Sequence, residues 1–184
     1  MQETKNFNEV INYLDENLNS YYFGGTISLY LYGIVNRKPK DIDVILTSDV
    51  FNLIKPKLER EDVTTNKFSD ESDNKIISFS LGGYDIDFIR MDLKYENILK
   101  NLDLRDGYLG YFIYENRELP FLYPSIAIDA KKGYINSAVK VLMENKYLTE
   151  KRHVSLLKHI DDVNSYNMTE RKTQLLTNLT EYLK

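Results

Sequence analysis

The chain has no cysteine among its 184 residues. That excludes a disulfide framework and thiol chemistry, and it makes the cytoplasm the expected compartment. Only two histidines occur, His153 and His159, too few for a histidine-rich zinc site. No run reaches the ~18 apolar residues of a membrane-spanning helix. The opening Met1-Gln2-Glu3-Thr4-Lys5 is polar and lacks the apolar segment of a secretory signal. Positive charge is not in excess either. The formal net charge is -4, which argues against broad electrostatic binding of nucleic acid and leaves room for a local basic patch. Internal repeats, low-complexity tracts and Pro/Gly/Ser linkers are all absent.

What is present is ordinary in bulk: 42% hydrophobic and 28% charged residues. A chain of this length forms one domain, or a core with a small helical appendix. The unusual part is local. Tyr22-Phe23-Gly24-Gly25-Thr26 precedes Lys40-Asp41-Ile42-Asp43-Val44, and Tyr84-Asp85-Ile86-Asp87-Phe88 follows later. Residues two apart on a strand point to the same face. Asp41 and Asp43 therefore stand side by side, and Asp87 can supply a third carboxylate from a neighbouring strand. Three carboxylates at one sheet face make a hard, oxygen-only site, the kind that holds Mg2+ together with a substrate's phosphates. Alone, an Asp-x-Asp commonly sits at a solvated strand end, and a Gly-Gly is commonly a turn. Their succession carries the weight.

Hydrophobic spacing places these motifs. Phe7, Val10, Ile11, Leu14 and Leu18 predict a helix over 5–18. Tyr21 to Phe23 reads as a short strand feeding the glycine pair. Thr26 to Tyr32 reads as a helix ended by Gly33. Its N-terminus would offer free backbone N–H groups and a positive dipole end to a phosphate. Asp41 to Leu46 is a strand, and Asp49 to Leu58 a helix that Pro56 is expected to kink or end early. Glu59 to Asn74 is polar loop with room for a strand around Val63. Lys75 to Leu81 and Tyr84 to Met91 form a hairpin across Gly82-Gly83. Asp85, Asp87 and Ile89 share its acidic face. Spacing does not choose between Asp85 and Asp87 as the third ligand.

A second hairpin is expected from Phe112–Tyr114 and Leu119–Leu122 around Glu115–Glu118. Beyond Pro124 the pattern is helical over 125–145, 149–164 and 168–183, with Ser125, Thr149 and Thr169 as N-caps. The reading is an α/β (α+β) core over 1–123 and a helical region over 124–184 packed on it.

Gly24-Gly25, Asp41-x-Asp43 and Asp87, in that order, resemble the polymerase-beta-like nucleotidyltransferase superfamily. The fifteen residues from Thr26 to Lys40 are more than is typical there and fit a loop insertion around Asn36-Arg37-Lys38-Pro39. The resemblance implies a small mixed sheet with flanking helices, and it favours Asp87, inside Ile86-Asp87-Phe88-Ile89, with Asp85 as the backup. Tyr123-Pro124-Ser125-Ile126-x4-Lys131 and Lys158-His159-Ile160-Asp161-Asp162-Val163 are similar to segments of the abortive-infection toxin-like branch. That similarity implies nucleotide contacts for Lys131 and Lys158, and an orienting role for Asp162 toward a basic partner. By themselves, lysines on charged helices normally face solvent.

The resemblance implies a Mg2+-dependent enzyme with two ions, Mn2+ serving as substitute. It would move a nucleoside monophosphate from a triphosphate to a hydroxyl of an RNA end or a protein, releasing pyrophosphate. Asp41 and Asp43 would bridge the ions, and Asp87 would hold the ion near the acceptor. Gly24, Gly25 and Thr26 would cradle the phosphates, with Arg37, Lys38 and Lys40 neutralising them. Tyr22, Tyr30 and Tyr32 are candidates to stack a base. The toxin-like branch adds a neutralising partner protein as a further expectation. Competing readings are a degenerate binding module, an antibiotic nucleotidyltransferase, and a phosphohydrolase or nuclease. The last is weakened because no histidine lies near the carboxylates in sequence.

Overall fold

The computed structural model describes residues 5–60, 76–101, 105, 107–144 and 146–182. Alternation of apolar and polar side chains builds its centre. In β2 (Asp41–Leu46), Ile42, Val44 and Leu46 are buried while Asp41, Asp43 and Ile45 face the other way. In β4 (Tyr84–Arg90), Ile86 and Phe88 repeat the pattern against Asp85 and Asp87. These strands belong to a six-stranded mixed sheet of order β3-β4-β2-β1-β6-β5. The others are β1 (Tyr22–Phe23), β3 (Ile76–Leu81), β5 (Leu109–Tyr114) and β6 (Arg117–Leu122).

One face of the sheet is covered by α1 (Phe7–Asn17) and α3 (Ser48–Arg60). Val10, Ile11 and Leu14 from α1 and Phe51, Ile54 and Leu58 from α3 pack on Phe23, Ile42, Val44, Ile86 and Phe88. This is the main core, and burial of such side chains is worth about 1.5–3 kcal/mol each. α1 falls within the helix expected over 5–18 and starts two residues later, with Asn6 as its cap accepting the Glu9 N–H. The other face carries a smaller cluster: Met91, Tyr95, Leu99, Leu109 and Leu122, with Tyr22, Ile45 and Ile126 against them. Its helix, α4 (Leu93–Lys100), escaped the sequence reading, although Tyr95 and Leu99 are spaced one turn apart. Buried Glu96 on α4 accepts from the Ser48 N–H and hydroxyl, each at 2.6 Å, and so fastens the start of α3.

The helical tail differs from expectation in three ways. α5 (Pro124–Met143) is capped by Tyr123, not Ser125, because Pro124 takes the first helical position, where its missing N–H costs nothing. The two helices expected over 149–164 and 168–183 are one, α6 (Glu150–Tyr182). No glycine or proline interrupts that stretch. Thr169 lies inside that helix, not at its start, and its hydroxyl donates back to the Ser165 carbonyl at 2.9 Å. Thr149 does cap, accepting the Arg152 N–H.

Pro56 does not stop α3, which continues to Arg60. Proline forfeits the bond to the carbonyl of Asn52, and both residues lie on the exposed side where water can serve that carbonyl. The buried Phe51-Ile54-Leu58 stripe runs on beneath. The loop expected over Glu59–Asn74, with its strand near Val63, falls outside the described residues from 61 onward. The predicted hairpins both form: Gly82 and Gly83 turn β3 into β4 with φ of 58° and 75°, and Glu115 and Asn116 turn β5 into β6 with φ of 46° and 64°. Among the described residues, no helix is long and apolar enough to cross a membrane.

Candidate functional site

The register of three strands assembles the site. β2 and β4 pair in parallel, with Asp41 beside Asp85 and Asp43 beside Asp87. β3 pairs antiparallel with β4, with Ser78 beside Asp87 and Ser80 beside Asp85. Two polar rows therefore cross the sheet on one face. The inner row, Ser78–Asp87–Asp43, is half-buried; the outer row, Ser80–Asp85–Asp41, is exposed. The Ser78 hydroxyl donates to Asp87 Oδ1 at 2.5 Å and the Ser80 hydroxyl to Asp85 Oδ1 at 3.0 Å. Sequence spacing alone predicted the shared acidic face. The serines were not singled out from the sequence, although the two-residue Gly82-Gly83 turn sets Ser80 opposite Asp85 and Ser78 opposite Asp87.

Asp43 sits where the glycine pair makes room. The Gly24 N–H bonds the Asp43 carbonyl at 3.0 Å, and the Thr26 N–H donates to the Asp43 carboxylate. These two donors serve Asp43, one at its backbone carbonyl and one at its carboxylate. α2 (Gly25–Leu31) starts at that point. Gly25 has φ +55°, and a Cβ there would lie 1.7 Å from Asp43 Oδ2. Gly25→Ala is expected to cost at least about 2 kcal/mol through left-handed strain and the clash. It should lower the melting temperature by roughly 5 °C and displace the Asp43 carboxylate. A calorimetric melt indistinguishable from wild type would refute this account of Gly25.

The carboxylates feel one another. Asp43 is pushed up to about 7, first by burial and then by Asp41 and Asp87, against Lys131 and the Thr26 N–H. Asp87 is also raised by burial, with Asp41 and Asp85 adding to it and the Ser78 hydroxyl and Lys151 opposing it. Lys151, in the first turn of α6, had no sequence signal beyond its charge. Among the described residues, no three His, Cys, Asp or Glu side chains are already gathered as a metal cage. The donor set nevertheless fits a hard divalent cation. Asp41, Asp43 and Asp87 offer oxygens only, and their mutual repulsion is what a shared cation would relieve.

The cations predicted from sequence separate into two groups. Arg37 and Lys131 come together on Asp162, which is 2% exposed. Arg37 Nη2 reaches its two oxygens at 3.0 and 2.7 Å, and Lys131 Nζ lies 2.9 Å away. Lys131 is 8% exposed and also 3.5 Å from His159 Nδ1. Burial, then the Lys131 charge, holds His159 down to about 4, so its ring is neutral near pH 7. The ring of Tyr134 meets it edge-on at 4.6 Å. Lys38, Lys40 and Lys158 are exposed, and no contact among the described residues places Lys158 with the carboxylates. Of the three tyrosines, Tyr22 is half-buried beside Ile45 and Leu122. Tyr30 and Tyr32 are exposed, with Tyr32 against Phe121 and Tyr123.

No family model matches the chain, and no curated protein does. Among solved structures it is similar to ANT(2'')-Ia in complex with adenylyl-2''-tobramycin, at 14% identity and a TM-score of 0.46 over 96% of each chain. It is similar to the antibiotic-resistance factor ANT(2'')-Ia in solution, at 14% identity and 0.43, over 97% of this chain and 96% of that one. It is also similar to an antigenic nucleotidyltransferase-like protein from Paracoccidioides brasiliensis, at 17% identity and 0.42, over 98% and 88%.

Proposed function

We propose that this chain is a divalent-metal-dependent nucleotidyltransferase that passes a nucleoside monophosphate from a triphosphate to a hydroxyl acceptor. The observation that carries the reading is the strand register. It sets Asp41 and Asp43 against Asp85 and Asp87 on one sheet face, with Gly25 cleared for the Asp43 carboxylate. Mg2+ at this site would stabilise the attacking and leaving oxygens of an in-line displacement at the α-phosphorus. Asp41 and Asp43 would hold the cation against the triphosphate. Asp87 faces the acceptor and takes its proton as the hydroxyl attacks.

Lys131 neutralises charge from the opposite side, held in place by Asp162 and His159. Arg37 spends only Nη2 on Asp162, which leaves its other guanidinium nitrogens for phosphate oxygens. Lys40, next to Asp41, serves the triphosphate at the exposed rim. The glycine pair and Thr26 act chiefly by seating Asp43. The acceptor is a hydroxyl of an RNA end or of a protein.

The test uses the four ribonucleoside triphosphates labelled at the α-phosphate, incubated with Mg2+, protein and cell extract. Products are then split by nuclease and by protease. Label transferred by wild type and lost with EDTA establishes the reaction, and its nuclease or protease sensitivity names the acceptor. Labelled nucleoside diphosphate or monophosphate released without transfer would replace this reading with a hydrolytic one.

A further inference from the structure

Two polar rows cross the acidic face, and only one of them is shielded from water. In the outer row, Ser80, Asp85 and Asp41 are exposed, so water can replace any hydrogen bond that Ser80 makes. In the inner row, Ser78, Asp87 and Asp43 are half-buried. There a hydrogen bond lost by a carboxylate is poorly replaced, and the side chain is freer to turn.

We propose that Ser78 is a positioning residue for Asp87, fixing which carboxylate oxygen faces the metal and acceptor. This inference rests on the nucleotidyl-transfer reading above. The geometry is direct. Ser78 lies opposite Asp87 in the β3–β4 pair, and its hydroxyl reaches Oδ1 from the side away from β2. Oδ1 is thus held from the β3 side, while Asp87 stands beside Asp43 on the β2 side. Orientation of a ligating carboxylate by an outer hydrogen bond is the general means of presetting a metal site. The same logic selects between the two candidate third ligands: Asp87 stands in the oriented, half-buried row and Asp85 in the solvated one.

The test compares wild type with Ser78→Ala, Ser78→Thr and Ser80→Ala. Mg2+ and Mn2+ affinity is measured by titration calorimetry, and nucleotide transfer by steady-state kinetics. Loss of an outer hydrogen bond to a ligand typically costs 10–100-fold, so Ser78→Ala should weaken Mg2+ binding about tenfold and lower kcat about tenfold. KM for the triphosphate should stay within about twofold, because Ser78 makes no predicted contact with it. Ser78→Thr keeps the hydroxyl and should recover most of both losses. Ser80→Ala should remain within about twofold of wild type. A purely structural role would instead lower the melting temperature and leave metal affinity per folded molecule unchanged. Wild-type metal affinity and kcat in Ser78→Ala overturn the inference, as does a larger loss in Ser80→Ala. Wild-type protein that neither binds divalent metal nor transfers nucleotide removes the functional reading as well, so the two failures are distinct.

Discussion

Asp43→Asn is expected to abolish nucleotide transfer and, without divalent metal, to make the protein more stable. The loss follows from the removal of a shared charge at the reacting centre. Several kcal/mol of charge stabilisation corresponds to a drop of about 10³-fold or more. The gain follows from the position of Asp43 among Asp41 and Asp87, which with burial push it up to about 7. A carboxyl raised in the fold favours its neutral form there. Its ionisation therefore destabilises the native state progressively as pH rises from the unfolded value near 4 to about 7. Asparagine keeps an oxygen for the Thr26 N–H and carries no charge.

The stabilisation of Asp43→Asn over wild type should be near zero at pH 4 and reach about 4 kcal/mol by pH 8, or roughly 10 °C. Added Mg2+ should stabilise wild type and leave the variant unmoved. Scanning calorimetry at pH 4, 6 and 8, with and without Mg2+, reads all of this. A variant that melts below wild type at pH 8, or that still responds to Mg2+, would remove Asp43 from the metal site.

Asp162→Asn is expected to be the most destabilising single change near the site. It leaves Lys131, buried at 8% exposure, without its anion, and frees Arg37, which is 43% exposed. Breaking a buried pair from one side costs about 3–5 kcal/mol, whereas the exposed partner's share is screened by water. A loss of about 3 kcal/mol, near 10 °C in melting temperature, is the expected result. Removing the orphaned charge should restore much of it, so Asp162→Asn with Lys131→Met should melt several degrees above Asp162→Asn alone. Equal melting of the single and double variants would mean that Lys131 is not the stranded charge.

The catalytic consequence has its own readout. Lys131→Met should raise KM for the triphosphate, since the ammonium is assigned to neutralising phosphate. A KM unchanged from wild type in a folded, active variant would leave Lys131 with a structural role only.

Much of the site was legible in the residues because its signals are local. Alternation in Asp41–Leu46 and in Tyr84–Arg90 sorted carboxylates to one face and apolar side chains to the other. Gly82-Gly83 announced the turn between β3 and β4. The Phe7, Val10, Ile11 and Leu14 stripe marked α1. Local signals also misled where packing outweighed them. Pro56 reads as a helix stop, yet the buried stripe beneath it carries α3 onward. The tail reads as two helices, yet nothing in Asn164–Met168 ends the first.

The sequence by itself determined that this chain carries paired carboxylates behind a glycine pair, on strands whose other faces are apolar. Those features depend on side-chain type and on periods of two and 3.6 residues, and no distant partner is needed to read them. Only the tertiary structure decided the parallel pairing of β2 with β4 that sets Asp43 beside Asp87. It alone decided that Gly24 and Thr26 spend their N–H groups on Asp43, and that Asp162 gathers Arg37 across 125 positions. Those contacts join residues far apart along the chain, and their energies depend on burial, which exists only after folding.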